Sequence, residues 1–391
     1  MSKTKEPPFK GLRVLELGTV IAGPFATSLL ADMGASVIKV EAPGAGDALR
    51  NMGPKKNGVP IWWGVSAREK RCITLNLKSD EGKELFRKLV AKADVLVENF
   101  RPGTLERLDL GWQALQQMNP KLVLLSISGF GNSGPNAHRP GFGKIAESMS
   151  GLVSLTGNSD DRPLFVGYSL ADTSAGLFGA LGVAIALYNR DVLGGTGARI
   201  DLALYEPILR MVDRQFVERA ARGASPNRAG SEDPYSYGYN DGSRPVFRTL
   251  RTLDADWVMV MIDRSILPEV SKLVGSADLE RDDALAAWAA TRSTDTVREA
   301  LITTGASIVP VLDAAGIATS PYFRKRGDVQ DTEPASLGPI QVPGHLGYGA
   351  GERHRHAFRA PTDGEDTVAV LSGELGIPSA EIMRMRDGGV I

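Results

Sequence analysis

The side chain best placed to do chemistry is the carboxylate of Asp172. It follows a short apolar run at residues 164–166 and precedes a long stretch that is almost entirely small or apolar. This pattern predicts a strand, a turn and a buried helix with one acid at the helix entrance. An acid in that position is either the N-cap of the helix or a reactive group, and the residue alone leaves both interpretations open.

Small residues line one face of the helix predicted after Asp172. Gly176, Gly179 and Gly182 recur at three-residue spacing, with Ala180 beside them. Because these residues leave that face nearly free of side chains, we expect another segment to pack very close to it.

Histidine and metal chemistry find little support in the sequence. The histidines are His138, His345, His354 and His356, and the last two lie in the segment ERHRHAFR without a third ligand at a suitable spacing. We interpret that segment as an exposed basic loop and predict no metal site. The chain also lacks a P-loop and a G-x-S-x-G elbow, so its chemistry must use carboxylates, backbone donors and a bound substrate.

Alternating strands and helices are predicted to position Asp172. Apolar runs typical of strands occur at residues 12–17, 36–41, 72–77, 94–98, 122–127 and 199–204, and a long helix is predicted at 206–223. This alternation is typical of a parallel sheet with helices on both faces, which binds ligands at the carboxyl ends of its strands. A turn-rich segment follows residue 223, and 391 residues exceed one ordinary core, so we expect a second, smaller domain.

The first strand–helix turn argues against a nicotinamide dinucleotide. It reads G-T-V-I-A-G rather than G-x-G-x-x-G, which removes the main physical support for a pyrophosphate site. Glu41 nevertheless stands about where such folds place the acid that binds a ribose.

Composition and charge exclude several classes of partner. Lys and Arg number 45 against 46 Asp and Glu, so we expect neither nucleic acid nor an anionic membrane surface to bind. The longest apolar run, within residues 176–188, is short and rich in Gly and Ala, which predicts a core helix rather than a membrane span. A single cysteine, Cys72, and an N-terminal stretch without a signal-peptide pattern lead us to expect a cytoplasmic protein.

Three stretches together carry a family resemblance. They are GLRVLELGTVIAGPFATSLLADMGASVIKVEAPGAGD near the N-terminus, REKRCITLNLKSDEGKELFRKLVAKADVLVENFRPG after it, and Asp172 before its small-residue helix. In this combination the chain resembles the class III (CaiB/BaiF, formyl-CoA transferase-like) coenzyme A-transferase family. That family also includes carnitine and bile-acid CoA-transferases and the α-methylacyl-CoA racemases.

The resemblance implies a fold and a class of substrate. It implies a Rossmann-like α/β large domain at residues 1–223, completed by residues 325–391, and a smaller α+β domain at residues 224–324. It also implies an interlocked homodimer. Coenzyme A would enter as an acyl-CoA substrate together with a small carboxylic acid, and no cofactor would be bound permanently.

The resemblance further assigns site residues. The family's nucleophilic aspartate falls on Asp172. The positions implied to contact CoA are Ile21, Ala22, Leu75, Asn76, Leu77, Lys78, Asn99, Phe100, Arg101, Arg107, Phe142 and Gly143.

An aspartate suits this reaction. Its ordinary pKa near 3.9 leaves it ionised at neutral pH, so it can attack a thioester carbonyl without a base. The expelled CoA thiolate then attacks the aspartyl–acyl anhydride, and the resulting aspartyl-CoA thioester passes CoA to an acceptor carboxylate. The tetrahedral intermediates need hydrogen-bond donors, which backbone N–H groups can supply.

Two other functions stay open. An α-methylacyl-CoA racemase needs an acid–base group on each face of the reacting carbon, and related racemases carry a His-Asp pair where this chain has Phe142 and Gly143. The second alternative is a protein that binds CoA esters without catalysis. The presence of Asp172 argues against it. We therefore favour a CoA-transferase.

The acceptor is expected to be a dicarboxylic acid and the donor to be succinyl-CoA. The segment GFGKIAESMSGL, which contains Glu147, resembles the branch of the family that uses dicarboxylates. A second substrate carboxylate would favour an arginine partner, and Arg139, Arg228 and Arg244 lie in predicted loops.

Overall fold

In a computed structural model of the protein, which describes residues 6–228, 230, 245–276, 279, 283–334, 337–344 and 358–391, the chain divides into two units. Unit 1 consists of Met1–Leu152, Phe165–Arg214 and Lys325–Ile391. Unit 2 consists of Val153–Leu164 and Gln215–Arg324. The C-terminal segment therefore belongs to the same unit as the N-terminal one.

Helices and strands alternate along the first part of the chain. In order they are β1 (Arg13–Glu16), α1 (Ala22–Asp32), β2 (Ser36–Glu41), β3 (Lys55–Lys56), β4 (Val59–Pro60), α2 (Ile61–Ser66), β5 (Lys70–Thr74), α3 (Asp80–Val90), β6 (Val95–Glu98), α4 (Thr104–Arg107), α5 (Trp112–Met118), β7 (Val123–Ser128), α6 (Gly143–Met149), α7 (Leu152–Leu155), α8 (Leu170–Asp191), β8 (Ala198–Ala203), α9 (Tyr205–Met211) and α10 (Arg214–Arg222).

The remaining elements are shorter and include antiparallel strands. In order they are β9 (Val246–Arg251), β10 (Trp257–Ile262), α11 (Leu267–Val274), α12 (Ala284–Ala290), α13 (Thr294–Thr303), β11 (Ser307–Pro310), α14 (Ala314–Thr319), α15 (Pro321–Arg326), β12 (Val329–Thr332), β13 (Ile340–Pro343), α16 (Thr367–Leu375) and α17 (Ser379–Asp387).

Six strands form one parallel sheet in unit 1. Their order across the sheet is β5-β2-β1-β6-β7-β8, and each neighbouring pair is parallel. Counted along the chain within this sheet, the order is 3-2-1-4-5-6, which is that of the Rossmann fold. The predicted Rossmann-like α/β architecture is confirmed. In such sheets ligands bind at the carboxyl ends of the strands where the order reverses, which here lies between β1 and β6.

Apolar residues on both faces of the sheet explain its two layers of helices. Val14 belongs to one buried cluster with α1 and α8, whereas its neighbour Leu15 belongs to another with α3, α16 and α17. Successive residues of a strand point to opposite faces, so the two clusters lie on opposite sides of the sheet. The C-terminal helices α16 and α17 therefore complete one of the two helical layers.

Unit 2 is built around the antiparallel sheet β11-β10-β9. Val258, Val260 and Ile262 alternate along β10 and pack with residues of α11, α12 and α13 in a buried cluster. The alternation is typical of a sheet with one face on the core.

Some sequence predictions were wrong in detail. Residues 164–166 form no strand, because Leu164 donates its N–H to the carbonyl of Thr156 and not to a neighbouring strand. The helix predicted at 206–223 is two helices, α9 and α10, separated at Val212. The strand predicted at 72–77 lies at Lys70–Thr74, where it pairs along β2.

Of the helices in the described part of the chain, α8 alone has the length and composition that would allow it to cross a membrane. Core helices of other proteins meet the same criterion. Here Ala175 and Val183 of α8 are buried in the cluster on one face of the sheet, as expected for a core helix.

Candidate active site

Asp172 lies in the first turn of α8 and is not its N-cap. The helix begins at Leu170, and the capping residue is Ser169, whose side chain makes no capping hydrogen bond. The N-cap interpretation of Asp172 is therefore wrong. A carboxylate in the first turn still benefits from the positive end of the helix dipole.

The small-residue face of α8 packs very closely against other segments, as predicted: Gly176 meets main chain, and Gly179 meets a side chain. A β-carbon at Gly176 would lie 2.8 Å from the carbonyl oxygen of Ala22, and one at Gly179 would lie 2.8 Å from a methyl group of Leu125. Because Gly176 is one turn beyond Asp172, this contact places Asp172 beside the beginning of α1. The nucleophile candidate and the predicted CoA contact Ala22 thus lie on two helices in backbone contact.

A second pair of glycine contacts brings the loop before α6 to Asp172. A β-carbon at Gly141 would lie 2.7 Å from the Cα atom of Gly129, which follows β7. Two residues later, a β-carbon at Gly143 would overlap Oδ2 of Asp172. The predicted CoA contact Gly143 therefore lies against the carboxylate itself.

A buried carboxylate and a lysine flank Asp172. Glu147 is fully buried, and its Oε2 atom lies 2.7 Å from Nζ of Lys144. Nζ of Lys144 also donates to the carbonyl oxygens of Val166 at 3.0 Å and Tyr168 at 2.8 Å. The pair thus joins α6 to the segment that leads into α8.

The sequence indicated Glu147 only as part of a segment that resembles the dicarboxylate branch of the family, and it predicted no role for Lys144. The signal that would have found them is their i,i+3 spacing, which puts both on one side of α6. The N–H of Ala171 also lies 3.4 Å from Oε1 of Glu147, so Glu147 contacts the beginning of α8 directly.

The surroundings of Asp172 favour its protonated form more than water does. Burial raises the pKa of Asp172 to about 6, and the negative charge of Glu147 adds to that rise. A hydrogen bond from its own backbone N–H and the charge of Lys144 act in the opposite direction. At pH 7 the carboxylate is still mainly ionised, with a basicity well above that of an ordinary aspartate.

The predicted contacts Ile21, Ala22 and Asn99 lie at the sheet's switch point. Ile21 is the half-buried N-cap of α1, and Ala22 is its buried first residue. Asn99 follows β6, and its amide accepts from the N–H of Thr19 at 2.7 Å and donates to the Thr19 carbonyl at 2.9 Å. The amide of Asn99 therefore bridges the ends of β1 and β6.

Residues 75–78 follow β5 at the same edge. Leu75 is 1% exposed and belongs to the core, so its side chain is not available to a ligand. Leu77 packs partly against that core. The Asn76 side chain bonds to the carbonyl of Gly389 at 3.2 Å and accepts from the N–H of Lys78 at 3.1 Å, which leaves Lys78 as the exposed side chain of this group.

Phe100, Arg101 and Arg107 follow β6. Phe100 packs partly against the core, and its N–H donates to Glu98 at 2.7 Å. Arg101 and Arg107 are exposed, and Arg107 donates to the hydroxyl of Thr104 at 2.8 Å. The two arginines are therefore available at the surface near the carboxyl end of β6.

A small open pocket adjoins Arg101. Its lining includes the polar residues Glu98, Asn132 and Arg199. Burial raises the pKa of Glu98 to about 7. Asp172 does not line this pocket.

The last predicted CoA contact, Phe142, is the N-cap of α6 and is 65% exposed. Its ring is thus free at the surface next to Gly143. Neither residue supplies an acid or a base, so the His-Asp pair expected of a racemase has no counterpart here.

The three arginines predicted as candidates for binding a second substrate carboxylate differ in how their side chains are placed. Arg139 is exposed in the loop before Gly141. Arg228 donates to the carbonyl oxygens of Asn158, Ser159 and Asp161 within unit 2, which occupies its guanidinium. Arg244 lies outside the described residues, as do the histidines at 345, 354 and 356.

Glu41 does not stand free to bind a ribose. Its Oε2 atom lies 2.6 Å from Arg50, and its Oε1 atom accepts from the N–H of Asp47 at 2.7 Å. This engagement removes the remaining sequence argument for a dinucleotide.

Comparison with known proteins gives the family. A model described as CoA-transferase family III matches residues 9–367. The chain belongs to CoA-transferase family III. The family resemblance and the transferase class predicted from the sequence are confirmed, and CoA thioesters are the substrates of such enzymes.

Individual members of CoA-transferase family III match over most of their length. The chain is 36% identical over 362 residues to the succinyl-CoA–D-citramalate CoA-transferase of Chloroflexus aurantiacus, with 88% of each protein covered. It is 31% identical over 396 residues to the acetyl-CoA:oxalate CoA-transferase of Acetobacter aceti, covering 96% of this chain and 97% of that one. A crystal structure of a CaiB/BaiF family protein from Brucella suis matches with a TM-score of 0.80 and 29% identity, over 94% of this chain and 100% of that chain.

Proposed function

We propose that this CoA-transferase moves CoA from succinyl-CoA to a small dicarboxylic acid through an aspartyl-CoA thioester on Asp172. The observation that carries the proposal is the placement of the Asp172 carboxylate, partly buried, against Gly143 and beside the beginning of α1. A carboxylate held at the ligand edge of a Rossmann-type sheet suits a reaction whose nucleophiles are carboxylates and thiolates.

The reaction balances without an external base. An oxygen of Asp172 attacks the thioester carbonyl, the carbon–sulfur bond breaks, and CoA thiolate leaves a succinyl–aspartyl anhydride. The thiolate attacks the aspartyl carbonyl, and succinate leaves as the carbon–oxygen bond breaks. An acceptor carboxylate then repeats these steps in reverse, so that Asp172 is regenerated and the acceptor leaves as its CoA thioester.

The raised pKa of Asp172 serves this chemistry. A carboxylate with a pKa of about 6 is a better nucleophile than one near 3.9, yet it stays ionised at neutral pH. Glu147 contributes to this rise by its negative charge, and the Lys144 ammonium lowers the pKa of Asp172 in the opposite direction.

The CoA moiety is proposed to lie along the carboxyl ends of β1, β5 and β6. Exposed Lys78, Arg101 and Arg107 supply cations for its phosphate groups. Ile21 and Ala22 supply main chain at the beginning of α1, where the Ala22 carbonyl packs against Gly176 of α8. Asn76 and Asn99 hold the loops that shape this edge.

Relatives support the choice of acceptor. The two named above transfer CoA to D-citramalate and to oxalate, and both acceptors are dicarboxylates. The first takes its CoA from succinyl-CoA, which supports that donor here. Exposed Arg139, near Gly141, is proposed to bind the second carboxylate of the acceptor.

The test of the mechanism is covalent trapping. Incubation with succinyl-CoA followed by hydroxylamine should convert the Asp172 side chain to a hydroxamate, which peptide mass spectrometry locates. Asp172→Asn should show no adduct and no transfer, whereas Asp191→Asn, at the other end of α8, should retain both. Transfer by Asp172→Asn at the wild-type rate, or an adduct on another residue, would refute the proposed mechanism.

The acceptor is identified by a separate experiment. Succinyl-CoA is incubated with a panel of monocarboxylic and dicarboxylic acids, and the CoA products are read by mass spectrometry. We expect new thioesters chiefly from small dicarboxylates. Transfer confined to monocarboxylates would contradict the proposed substrate class without affecting the role of Asp172.

A homodimer is proposed on the outer face of α8. Leu177, Leu181, Ile185 and Tyr188 recur at helical spacing, and each is more than half exposed in the single chain. A second copy of the chain, interlocked with the first, would cover this face. Light scattering should give twice the chain mass, and a monomer mass would refute the dimer.

The cytoplasmic location of the protein stays a prediction.

A further inference from the structure

The loop between β1 and α1 contains a residue in an unfavourable backbone conformation. Val20 has a φ of +64°, in the left-handed region, which β-branched residues rarely adopt. The loop lies at the switch point of the sheet and leads directly into Ile21 and Ala22. A backbone conformation of this kind persists only where the surrounding structure holds it.

Side chains from β2 and from the end of β6 hold two successive residues of this loop, Gly18 and Thr19. Nζ of Lys39 donates to the carbonyl of Gly18 at 2.7 Å. The amide of Asn99 bonds to both the N–H and the carbonyl of Thr19. These contacts fix the chain immediately before Val20.

The carboxylate of Asp47 holds Val20 itself. Its two oxygens accept from the N–H of Val20 at 2.9 and 3.2 Å. Asp47 is 1% exposed, and its position is fixed in turn by Lys39 at 2.8 Å and by the N–H of Leu49 at 2.9 Å. Lys39 is itself paired with buried Glu16 at 2.7 Å, so a rigid buried network stands behind the Val20 contact.

We propose that Asp47 is a positioning residue for acyl-CoA binding, because it keeps Val20 in the left-handed turn that presents Ile21 and Ala22 to the ligand. This inference rests on the proposed function, which places CoA against these two residues. Asp47 is buried behind the loop and acts through Val20, so it does not touch the reacting atoms itself.

The mechanism makes a specific claim about coupling between two positions. Without the Asp47 carboxylate, Val20 relaxes to negative φ and the main chain of Ile21 turns away. A glycine at position 20 adopts positive φ about as readily as negative φ, so the loop of the Val20→Gly variant depends less on Asp47. The two positions should therefore couple in a double-mutant cycle, as contacting residues do.

The experiment compares wild type, Val20→Gly, Asp47→Ala and the double variant. The readouts are the Kd for free coenzyme A by calorimetry, KM and kcat with succinyl-CoA, and Tm. We expect Asp47→Ala to raise Kd and KM about tenfold with kcat nearly unchanged, as loss of a charge-assisted hydrogen bond does. In the Val20→Gly background the same substitution should raise them about threefold or less.

Two further variants separate positioning from general damage. Asp32→Asn weakens the buried ion pair with Arg68 at the far end of α1, so it should lower Tm and leave Kd unchanged. Asp47→Asn keeps an acceptor for the N–H of Val20, and its effect on Kd should lie between those of wild type and Asp47→Ala. Should Asp47→Ala not fold, Asp47→Asn takes its place in the cycle.

The outcomes distinguish this inference from the proposed function. Equal loss of CoA affinity in the wild-type and Val20→Gly backgrounds, or no loss at all, overturns the positioning role. A wild-type protein that neither binds coenzyme A nor turns over succinyl-CoA overturns the proposed function instead.

Discussion

Gly143 lies so close to Asp172 that a β-carbon on residue 143 would overlap Oδ2 of the carboxylate. The absence of a side chain at 143 is therefore a condition for the present position of Asp172. We expect Gly143→Ala to lower kcat by about 100-fold, because a displacement of about 1 Å in a reacting group has an effect of that size. Steady-state kinetics with succinyl-CoA measure it.

Gly373 provides the matched control for this substitution. It lies in α16, is exposed, and has open space where a β-carbon would go. Gly373→Ala should leave kcat unchanged and stabilise the protein by about 0.5–1 kcal/mol. If Gly143→Ala retained wild-type kcat, the contact between residues 143 and 172 would have no bearing on catalysis.

The pH dependence of the reaction follows from Asp172. Because burial and Glu147 raise its pKa to about 6, the nucleophile is lost by protonation as pH falls through that value. We expect kcat/KM for succinyl-CoA to be level above pH 7 and to fall tenfold per unit well below pH 6. A profile that stays level down to pH 4.5 would contradict the raised pKa.

The same shift has a consequence for stability. Since the pKa of Asp172 is higher in the folded chain than its unfolded value near 3.9, the stability that the protonated form provides is complete below pH 4 and is lost as pH rises through 6. A difference of about two units corresponds to roughly 3 kcal/mol at 1.36 kcal/mol per unit. Asp172→Asn should therefore raise the free energy of unfolding at pH 7.5 but not at pH 4, as denaturant titration would show.

The charge of Glu147 should be visible in the pH profile. Glu147→Gln keeps an acceptor for the N–H of Ala171 but removes the negative charge beside Asp172. The acid limb of kcat/KM should move to lower pH by up to about one unit. Glu84→Gln, on the exposed side of α3, should leave the limb in place, and an upward shift in Glu147→Gln would contradict this account.

Arg139 and Arg228 should respond differently to removal. Arg139→Ala should raise KM for the dicarboxylate acceptor about 10- to 100-fold while KM for succinyl-CoA stays unchanged, since a charge-assisted bond to the second carboxylate is lost. Arg228→Ala removes three bonds to the carbonyls of residues 158–161, so it should lower Tm instead. Equal KM values for wild type and Arg139→Ala would exclude Arg139 as the acceptor's partner.

Elements with strong local signals were predicted well. The strand at Ser36–Glu41 has the predicted bounds, because its apolar pattern and the turn residues that flank it agree. Residues 164–166 have the composition of a strand, but a strand also needs a neighbour to pair with. Pairing depends on residues distant in sequence, so the local pattern did not show that the neighbour is missing.

The site was only partly accessible from the sequence. The position of Asp172 came from the resemblance, and the close packing on Gly176 followed from glycine spacing. The close contact between Gly143 and Asp172 depends on how α6 and α8 cross, and no local sequence pattern contains that information. Likewise nothing in the sequence distinguishes Lys39 and Asp47 from exposed charged residues. Only the fold shows that they are buried together behind the loop between β1 and α1.

The crossing of α8 and α1 limits how this enzyme can change. Because Gly176 rests on the carbonyl of Ala22, the spacing between the proposed nucleophile and the CoA edge is set by two main chains. Such spacing depends little on the identity of most side chains. In the proposed mechanism, acceptor preference depends on the exposed loop of Arg139 and can change separately from this spacing. One enzyme framework could in this way serve citramalate in one organism and oxalate in another.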